Sequence, residues 1–159
     1  MKTILPLKTI NDTPETFKQF VGAIILHMEK EISSMSMLKG MFIKKSYAAV
    51  KSVRPGYVQH IIEVLTRDYI SEFSSMHDDF RASQKLPSAE PVPFITYIRA
   101  HREEADKHFW RIADDYAAKK SSSLIGKAYK AGRSTIDSHL PLVYEIICSE
   151  IDKYTIKEA

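Results

Sequence analysis

Apolar side chains recur every three or four residues along most of this chain, and the alternation typical of half-buried strands is almost absent. The 5 glycines and 7 prolines are few, and the prolines lie where the periodic stretches end. A stripe at this spacing covers one face of an amphipathic helix, which must be buried against other helices. The sequence therefore predicts an all-α protein, a single-domain bundle of about six helices over residues 1–159.

The ends of the helices are predicted from capping residues and prolines. Asp12 or Thr13 suits the N-cap of the first helix, with Pro14 at its first position. Pro141 falls in the first turn of the sixth helix, where proline is tolerated. The predicted helices span 13–34, 37–53, 57–81, 94–119, 124–134, and from 137 or 138 to 154. Residues 84–93 form a proline-rich connection.

The sequence is typical of a soluble protein in a reducing compartment. The longest apolar run, Val21 to Leu26, is far shorter than the roughly 20 residues of a membrane span. The amino terminus lacks the apolar region of a signal peptide. Cys148 has no cysteine partner in the chain, and its isoleucine neighbours favour a buried helical position. We expect a cytoplasmic protein without a membrane span.

The charges are unevenly distributed. The net charge of +3 conceals two stretches, residues 39–54 and 119–133, that each carry five basic residues and no acidic one. The rest of the chain is acidic overall, because it holds all 20 Asp and Glu residues and only the remaining Lys and Arg. The positive charge is therefore concentrated in two short segments.

The same two segments match each other when the sequence is shifted so that Lys45 aligns with Lys127. At this shift six identities fall within 28 positions, and they include Lys45 with Lys127 and Tyr47 with Tyr129. Chance would give roughly two at average amino-acid frequencies. The match predicts two related three-helix halves, about 14–81 and 94–155, in which the basic segments are equivalent. The alternative is that any two amphipathic helix pairs align to some extent.

A family resemblance lies on these segments. The run from Glu31 to Gly40, followed by Tyr47 to Lys51 and Arg54-Pro55-Gly56, resembles the first half of small bacterial proteins of unknown function. Ser121-Ser122, Lys127-Ala-Tyr129 and His139-Leu-Pro141 resemble the second half. Met37 and Gly126 depart from that pattern, where glycine and lysine would be expected. The resemblance implies an all-helical fold and carries no known activity.

The basic segments are the first candidate site. A helix that presents several cations suits phosphate groups, so the hypothesis is a non-catalytic binding protein whose anionic partner is a nucleic acid or a phosphorylated ligand. The candidate residues are Lys44, Lys45, Lys51, Arg54, Lys127, Lys130 and Arg133. The alternative is that these cations neutralise acidic residues on the long helices. The acidic candidates are Glu29, Glu31, Asp114 and Asp115.

A second candidate is a strip on the predicted helix 94–119. His101, Glu104, His108 and Asp115 fall on one edge of its apolar face, where imidazole and carboxylate groups could hold a divalent metal for a metal-dependent or small-molecule enzyme. The paired Glu-x-x-His motifs of helical dimetal sites are missing. The alternative is two ordinary pairs, Glu104 with His108 and Arg111 with Asp115. No glycine-rich phosphate loop, Cys and His cluster or nucleophile elbow is present, so we predict no cofactor.

The remaining polar and aromatic candidates favour structural roles. Tyr47 and Tyr129 are expected in packing, or lining a shared groove. The pairs His27 with Glu31 and His60 with Glu63 are expected at the surface, and His77-Asp78-Asp79 at a solvated helix end. Trp110 lies beside the apolar stripe of its helix and is a candidate contact of a structural homo-oligomer.

Overall fold

The protein is all-α, as predicted, and its described residues form six α-helices and one small sheet. The computed structural model describes residues 1–120 and 123–159, except for the side chains of residues 37–39 and 42. The helices are α1 (Pro14–Ser34), α2 (Met37–Lys51), α3 (Tyr57–Ser83), α4 (Phe94–Ala100), α5 (Arg102–Lys119) and α6 (Leu124–Thr155). Two strands, β1 (Lys2–Ile4) and β2 (Ile156–Glu158), and a 3₁₀ helix (Leu7–Asn11) complete the described elements.

The core is lined by α1, α3, α4, α5 and α6. As the apolar pattern predicts, Phe20 and Val21 of α1 and Phe73 of α3 are buried in it, and the thiol of Cys148 in α6 is fully buried. Burial raises the pKa of that thiol because the thiolate would lose its hydration. None of the helices in the described part of the chain is long and apolar enough to cross a membrane.

The predicted helix 94–119 is wrong as a single element, because it is interrupted at His101. There the backbone leaves the helical region, with φ −121° and ψ 37°. The Nδ1 atom of His101 lies 2.9 Å from the carbonyl oxygen of Tyr97, and its ring stacks on the Tyr97 ring at 4.0 Å. The His101 amide also donates to the Tyr97 carbonyl oxygen at 3.0 Å, so the side-chain contact adds to the helical hydrogen bond and does not replace it.

The prediction of two helices over 124–134 and 137–154 is also wrong, because α6 is continuous through Pro141. A proline inside a helix costs about 3 kcal/mol. The buried stripe of α6 nevertheless stays in phase across it, with Gly132, Leu140, Tyr144, Cys148 and Ile151 all buried. Ser123 caps the helix by accepting a hydrogen bond from the Gly126 amide at 3.4 Å. Ser121 and Ser122 lie outside the described residues.

The terminal strands are an addition that the sequence pattern does not predict. They pair antiparallel, with Lys2 opposite Glu158 and Ile4 opposite Ile156. Three-residue strands are too short to show an alternating pattern. Their pairing holds the two ends of the chain together.

His77 contradicts the expected solvated helix end, because α3 continues to Ser83 and the imidazole is fully buried. Its ring lies 4.8 Å from that of Phe94, edge to face, and 5.5 Å from that of Phe80. Neither ring nitrogen has a hydrogen-bond partner among the residues that the structure describes. Burial lowers the pKa of His77 to about 4, with a smaller lowering by Arg81 that Asp78 opposes.

This burial predicts acid-sensitive stability. The neutral imidazole is favoured in the fold, whereas the unfolded chain binds a proton below about pH 6.5. Stability is therefore fully present above that pH and falls as the pH drops toward about 4, by up to about 3 kcal/mol from this group. His77→Leu removes the titrating group at similar volume.

Urea unfolding of wild type and His77→Leu at pH 7.5, 6, 5 and 4 checks this expectation. Asp152, whose pKa burial raises to about 6, acts in the opposite direction but is shared by both proteins. The difference in free energy of unfolding should shift in favour of the variant as the pH falls. A difference independent of pH would contradict the account.

Candidate basic-helix surface

The two basic segments lie on α2 with the turn after it, and on the first third of α6 with the end of α5. Helices α2 and α6 pack against each other, so the segments belong to neighbouring helices. Each segment follows a long helix that supplies a carboxylate to it. The cations of the site therefore fall into two classes: those that contact these carboxylates and those that do not.

In the second half, Asp114 of α5 joins a tyrosine and an arginine of α6. Tyr129 donates its hydroxyl hydrogen bond to Asp114 Oδ1. Arg133 donates from Nε to Oδ1 and from a terminal nitrogen to Oδ2, both at 3.1 Å. The Arg133 guanidinium also lies 4.0 Å from the centre of the Trp110 ring. We call Tyr129, Asp114 and Arg133 the α6 cluster.

In the first half, Glu29 of α1 joins a tyrosine and a lysine of α2. Tyr47 donates its hydroxyl hydrogen bond to Glu29 Oε1 at 2.5 Å, and Lys51 Nζ lies 3.9 Å from the same oxygen. We call Tyr47, Glu29 and Lys51 the α2 cluster. It has the same composition as the α6 cluster: a tyrosine, a cation four residues later, and a carboxylate from the preceding long helix.

The electrostatics of the two clusters agree with these bonds. The hydrogen bond from Arg133 lowers the pKa of Asp114, so the carboxylate stays ionised. Desolvation, followed by the adjacent carboxylate, raises the pKa of both Tyr47 and Tyr129. Each tyrosine is therefore a neutral donor, which suits a positioning contact and not a nucleophile.

The remaining cations of the candidate set fall into two groups. Lys44 donates to the carbonyl oxygen of Met35 at 2.8 Å, and the Arg54 guanidinium lies 4.8 Å from the centre of the Tyr57 ring. Lys45, Lys127 and Lys130 are exposed, and no described side chain pairs with them. We call these three residues the outward lysines.

The structure shows which of the candidate acidic residues contact the basic segments, whereas the sequence only identifies the candidates. Of the four acidic residues expected to neutralise the basic segments, Glu29 and Asp114 contact them. Neither Glu31 nor Asp115 pairs with a described basic side chain. Which carboxylate reaches a neighbouring helix depends on the packing of that helix, which spacing alone does not give.

The four side chains of the candidate metal strip are not brought to one point. His101 bonds to Tyr97 oxygen, and His108 Nδ1 lies 2.7 Å from Glu72 Oε1, on another helix. Glu104 lies 3.7 Å from His108 Nε2, which matches the expected pair. Among the residues that the structure describes, no group of three or more His, Cys, Asp or Glu side chains could hold a metal ion.

Two other expected pairs are replaced by contacts between helices. Arg111 bonds to Glu72 at 2.8 Å and not to Asp115. His27 Nε2 lies 2.8 Å from Glu150 Oε1 of α6, and no described contact joins it to Glu31. The Glu72 and Glu150 partners were missed because they lie far away in sequence, on helices whose neighbours only the fold reveals.

Trp110 has partners within the chain. Its ring packs edge to face on Phe109 at 5.1 Å and on Tyr129 at 6.5 Å, and Arg133 covers it. These contacts give Trp110 a packing role beside the α6 cluster. They account for its position at the margin of the apolar stripe without a second subunit.

Two shallow grooves lie away from the basic segments. One, of about 410 Å³, is lined by residues of α1 and α3 that include Phe17, Lys18 and Arg67. The other, of about 240 Å³, lies between the 3₁₀ helix and α3 and includes Asp78 and Arg81. Neither includes Tyr47 or Tyr129, so the expected groove at those tyrosines is not among them.

Comparison with known proteins gives a family and no activity. Residues 7–154 match a family described as a family of unknown function, DUF6918. No curated protein and no solved structure matches the chain. The surface chemistry described above is therefore the basis for any functional proposal.

The two clusters predict matched costs for removing each tyrosine hydroxyl. Tyr47→Phe and Tyr129→Phe each delete one hydrogen bond to a partly exposed carboxylate and should lower the free energy of unfolding by about 1.5 kcal/mol. Tyr57→Phe is the control, because its hydroxyl has no described hydrogen-bond partner. Urea denaturation measures all three. A loss in the control equal to that in the other two would show that the clusters contribute nothing.

Proposed function

Because the chain belongs to this family of unknown function, we propose its role from its surface: a non-catalytic interaction protein whose two basic helices contact an anionic partner, a nucleic acid or a phosphorylated ligand. The observation that carries the proposal is the exposure of the outward lysines without a described acidic partner. Exposed ammonium groups of this kind donate charge-assisted hydrogen bonds to phosphate oxygens.

The positions of Lys45 and Lys127 on their helices support this separation of paired from unpaired cations. Lys45 precedes Lys51 by six residues, and Lys127 precedes Arg133 by six residues. Six residues correspond to about 600° of rotation, so the members of each pair lie about 120° apart around the helix axis. On each helix one cation meets a carboxylate of the neighbouring long helix, while the other faces away from it.

We propose further that residues 14–81 and 94–155 are related halves of one domain. Tyr47 and Tyr129, Lys51 and Arg133, and Lys45 and Lys127 all correspond at one and the same shift of the sequence. The two carboxylates depart from that shift by three residues, close to one helical turn. An approximate two-fold relation would present the basic helices equivalently.

The buried, unpaired Cys148 thiol favours a reducing bacterial cytoplasm as the site of action.

A salt titration tests the anion proposal. A labelled short DNA duplex is titrated with the full chain at several NaCl concentrations. If the three outward lysines each neutralise one phosphate, the logarithm of the affinity should fall against the logarithm of the salt concentration with a slope of about −2.7. Inorganic pyrophosphate, as a competitor, tests whether the phosphate group alone is recognised.

A charge-matched pair of variants assigns the effect to the surface. Lys45→Gln/Lys127→Gln/Lys130→Gln should flatten the slope toward zero. Lys18→Gln/Lys85→Gln/Lys157→Gln removes the same charge from exposed lysines elsewhere and should leave most of the slope intact. Equal losses in both variants, or no binding by wild type at low salt, would remove the proposal.

A further inference from the structure

Exposed apolar side chains accompany the outward lysines. Among the side chains that the structure describes, six large apolar ones are exposed: Met1, Leu26, Met41, Val53, Val92 and Leu124. Three of these six, Met41, Val53 and Leu124, lie on the basic helices or next to them. Exposed apolar side chains are ordinary when scattered singly. Leu26 of α1 also precedes an exposed lysine, Lys30, by four residues, but Glu29 and Glu31 adjoin that lysine, whereas the two basic segments hold no acidic residue.

The association has a regular geometry. Met41 precedes Lys45 by four residues on α2, and Leu124 precedes Lys127 by three residues on α6. Residues three or four apart lie on the same face of a helix, one turn from each other. Met41 is 44% exposed and Leu124 is 50% exposed. Each basic helix therefore presents an apolar side chain and a free ammonium group side by side.

These pairs discriminate between anionic partners. The phosphate backbone of a nucleic acid satisfies the ammonium groups but offers nothing to Met41 and Leu124. Neither of the two grooves described above, which could receive a small phosphorylated ligand, includes the outward lysines. The boundary between lipid headgroups and acyl chains accepts both parts, since apolar side chains insert at that level while lysines meet anionic headgroups.

We propose that the anionic partner is the surface of a phospholipid bilayer, which the protein binds peripherally through Met41 with Lys45 and Leu124 with Lys127. This inference rests on the proposed function and names its partner. It requires no membrane-spanning helix, in agreement with the described helices. Each lysine near such a surface contributes about a fivefold increase in partitioning.

Flotation of the full chain with vesicles tests the inference. Vesicles of phosphatidylcholine alone are compared with vesicles of two parts phosphatidylcholine to one part phosphatidylglycerol, at low and at physiological salt. Binding to the anionic vesicles should exceed binding to the neutral ones by about tenfold or more, and should weaken as salt rises. Equal binding to both compositions would overturn the inference.

The apolar contribution has a matched control. Met41→Ser/Leu124→Ser removes the two apolar side chains beside the lysines and should lower partitioning by about tenfold or more. Val92→Ser is the control, because it removes an apolar side chain that is 44% exposed outside the basic helices and should change partitioning less than twofold. Thermal melts confirm that both variants fold. Equal effects of the two variants would overturn the inference.

The outcomes separate this inference from the broader proposal. Lysine-dependent binding to duplex DNA or pyrophosphate, with no binding to anionic vesicles, would refute the bilayer surface and leave the anion proposal standing. No lysine-dependent binding to any of these probes would refute both. Vesicle binding that survives both Lys45→Gln and Lys127→Gln would also refute the assignment to these helices.

Discussion

Burial of one face of α6 is the constraint on which the rest of the structure depends. Leu140, Tyr144, Cys148 and Ile151 are at most 1% exposed, and α6 packs against α1, α2, α4 and α5. Burying the Leu140 and Ile151 side chains alone contributes roughly 3 to 6 kcal/mol, at about 1.5 to 3 kcal/mol each. That offsets the cost of about 3 kcal/mol for Pro141 inside the helix. The buried stripe therefore runs in phase across Pro141, from Gly132 to Ile151.

The continuity of α6 also places the charged segments. The same helix that fills the core at its carboxyl end carries Lys127, Lys130 and Arg133 near its amino end. Asp114 pairs with Arg133, and Glu29 lies 3.9 Å from Lys51 on α2. Since both ion pairs are about half exposed, each contributes little to stability, and their main effect is on where the cations point. The lysines on the other face of each helix are left to solvent.

The sequence predicts the class of fold well because amphipathic periodicity depends on local spacing. It predicts the buried stripes of α1 and α3 and the burial of Cys148. It does not predict the interruption at His101, where the backbone leaves the helical region and the side chain lies against Tyr97. It also misplaces His77, because a histidine followed by two aspartates has the composition of a solvated helix end, while only packing places its ring against Phe94.

The candidate surface was partly predictable for the same reason. Charge runs and the internal match identify the basic helices and pair Tyr47 with Tyr129, because both are properties of the sequence. Which cations are held and which are free depends on carboxylates from other helices, such as Glu29 and Asp114. Sequence spacing does not indicate how those helices meet.

The central claim is that each basic helix pairs one cation with a carboxylate of a neighbouring helix and leaves another free for an anionic surface. Lysine acetylation rates, measured residue by residue by mass spectrometry with and without anionic vesicles, test it most directly. Without vesicles, Lys45, Lys127 and Lys130 should react faster than Lys44 and Lys51. With vesicles, protection should concentrate on Lys45 and Lys127 and leave Lys18 and Lys85 unchanged. Equal rates for all these lysines, or protection spread evenly over them, would contradict the account.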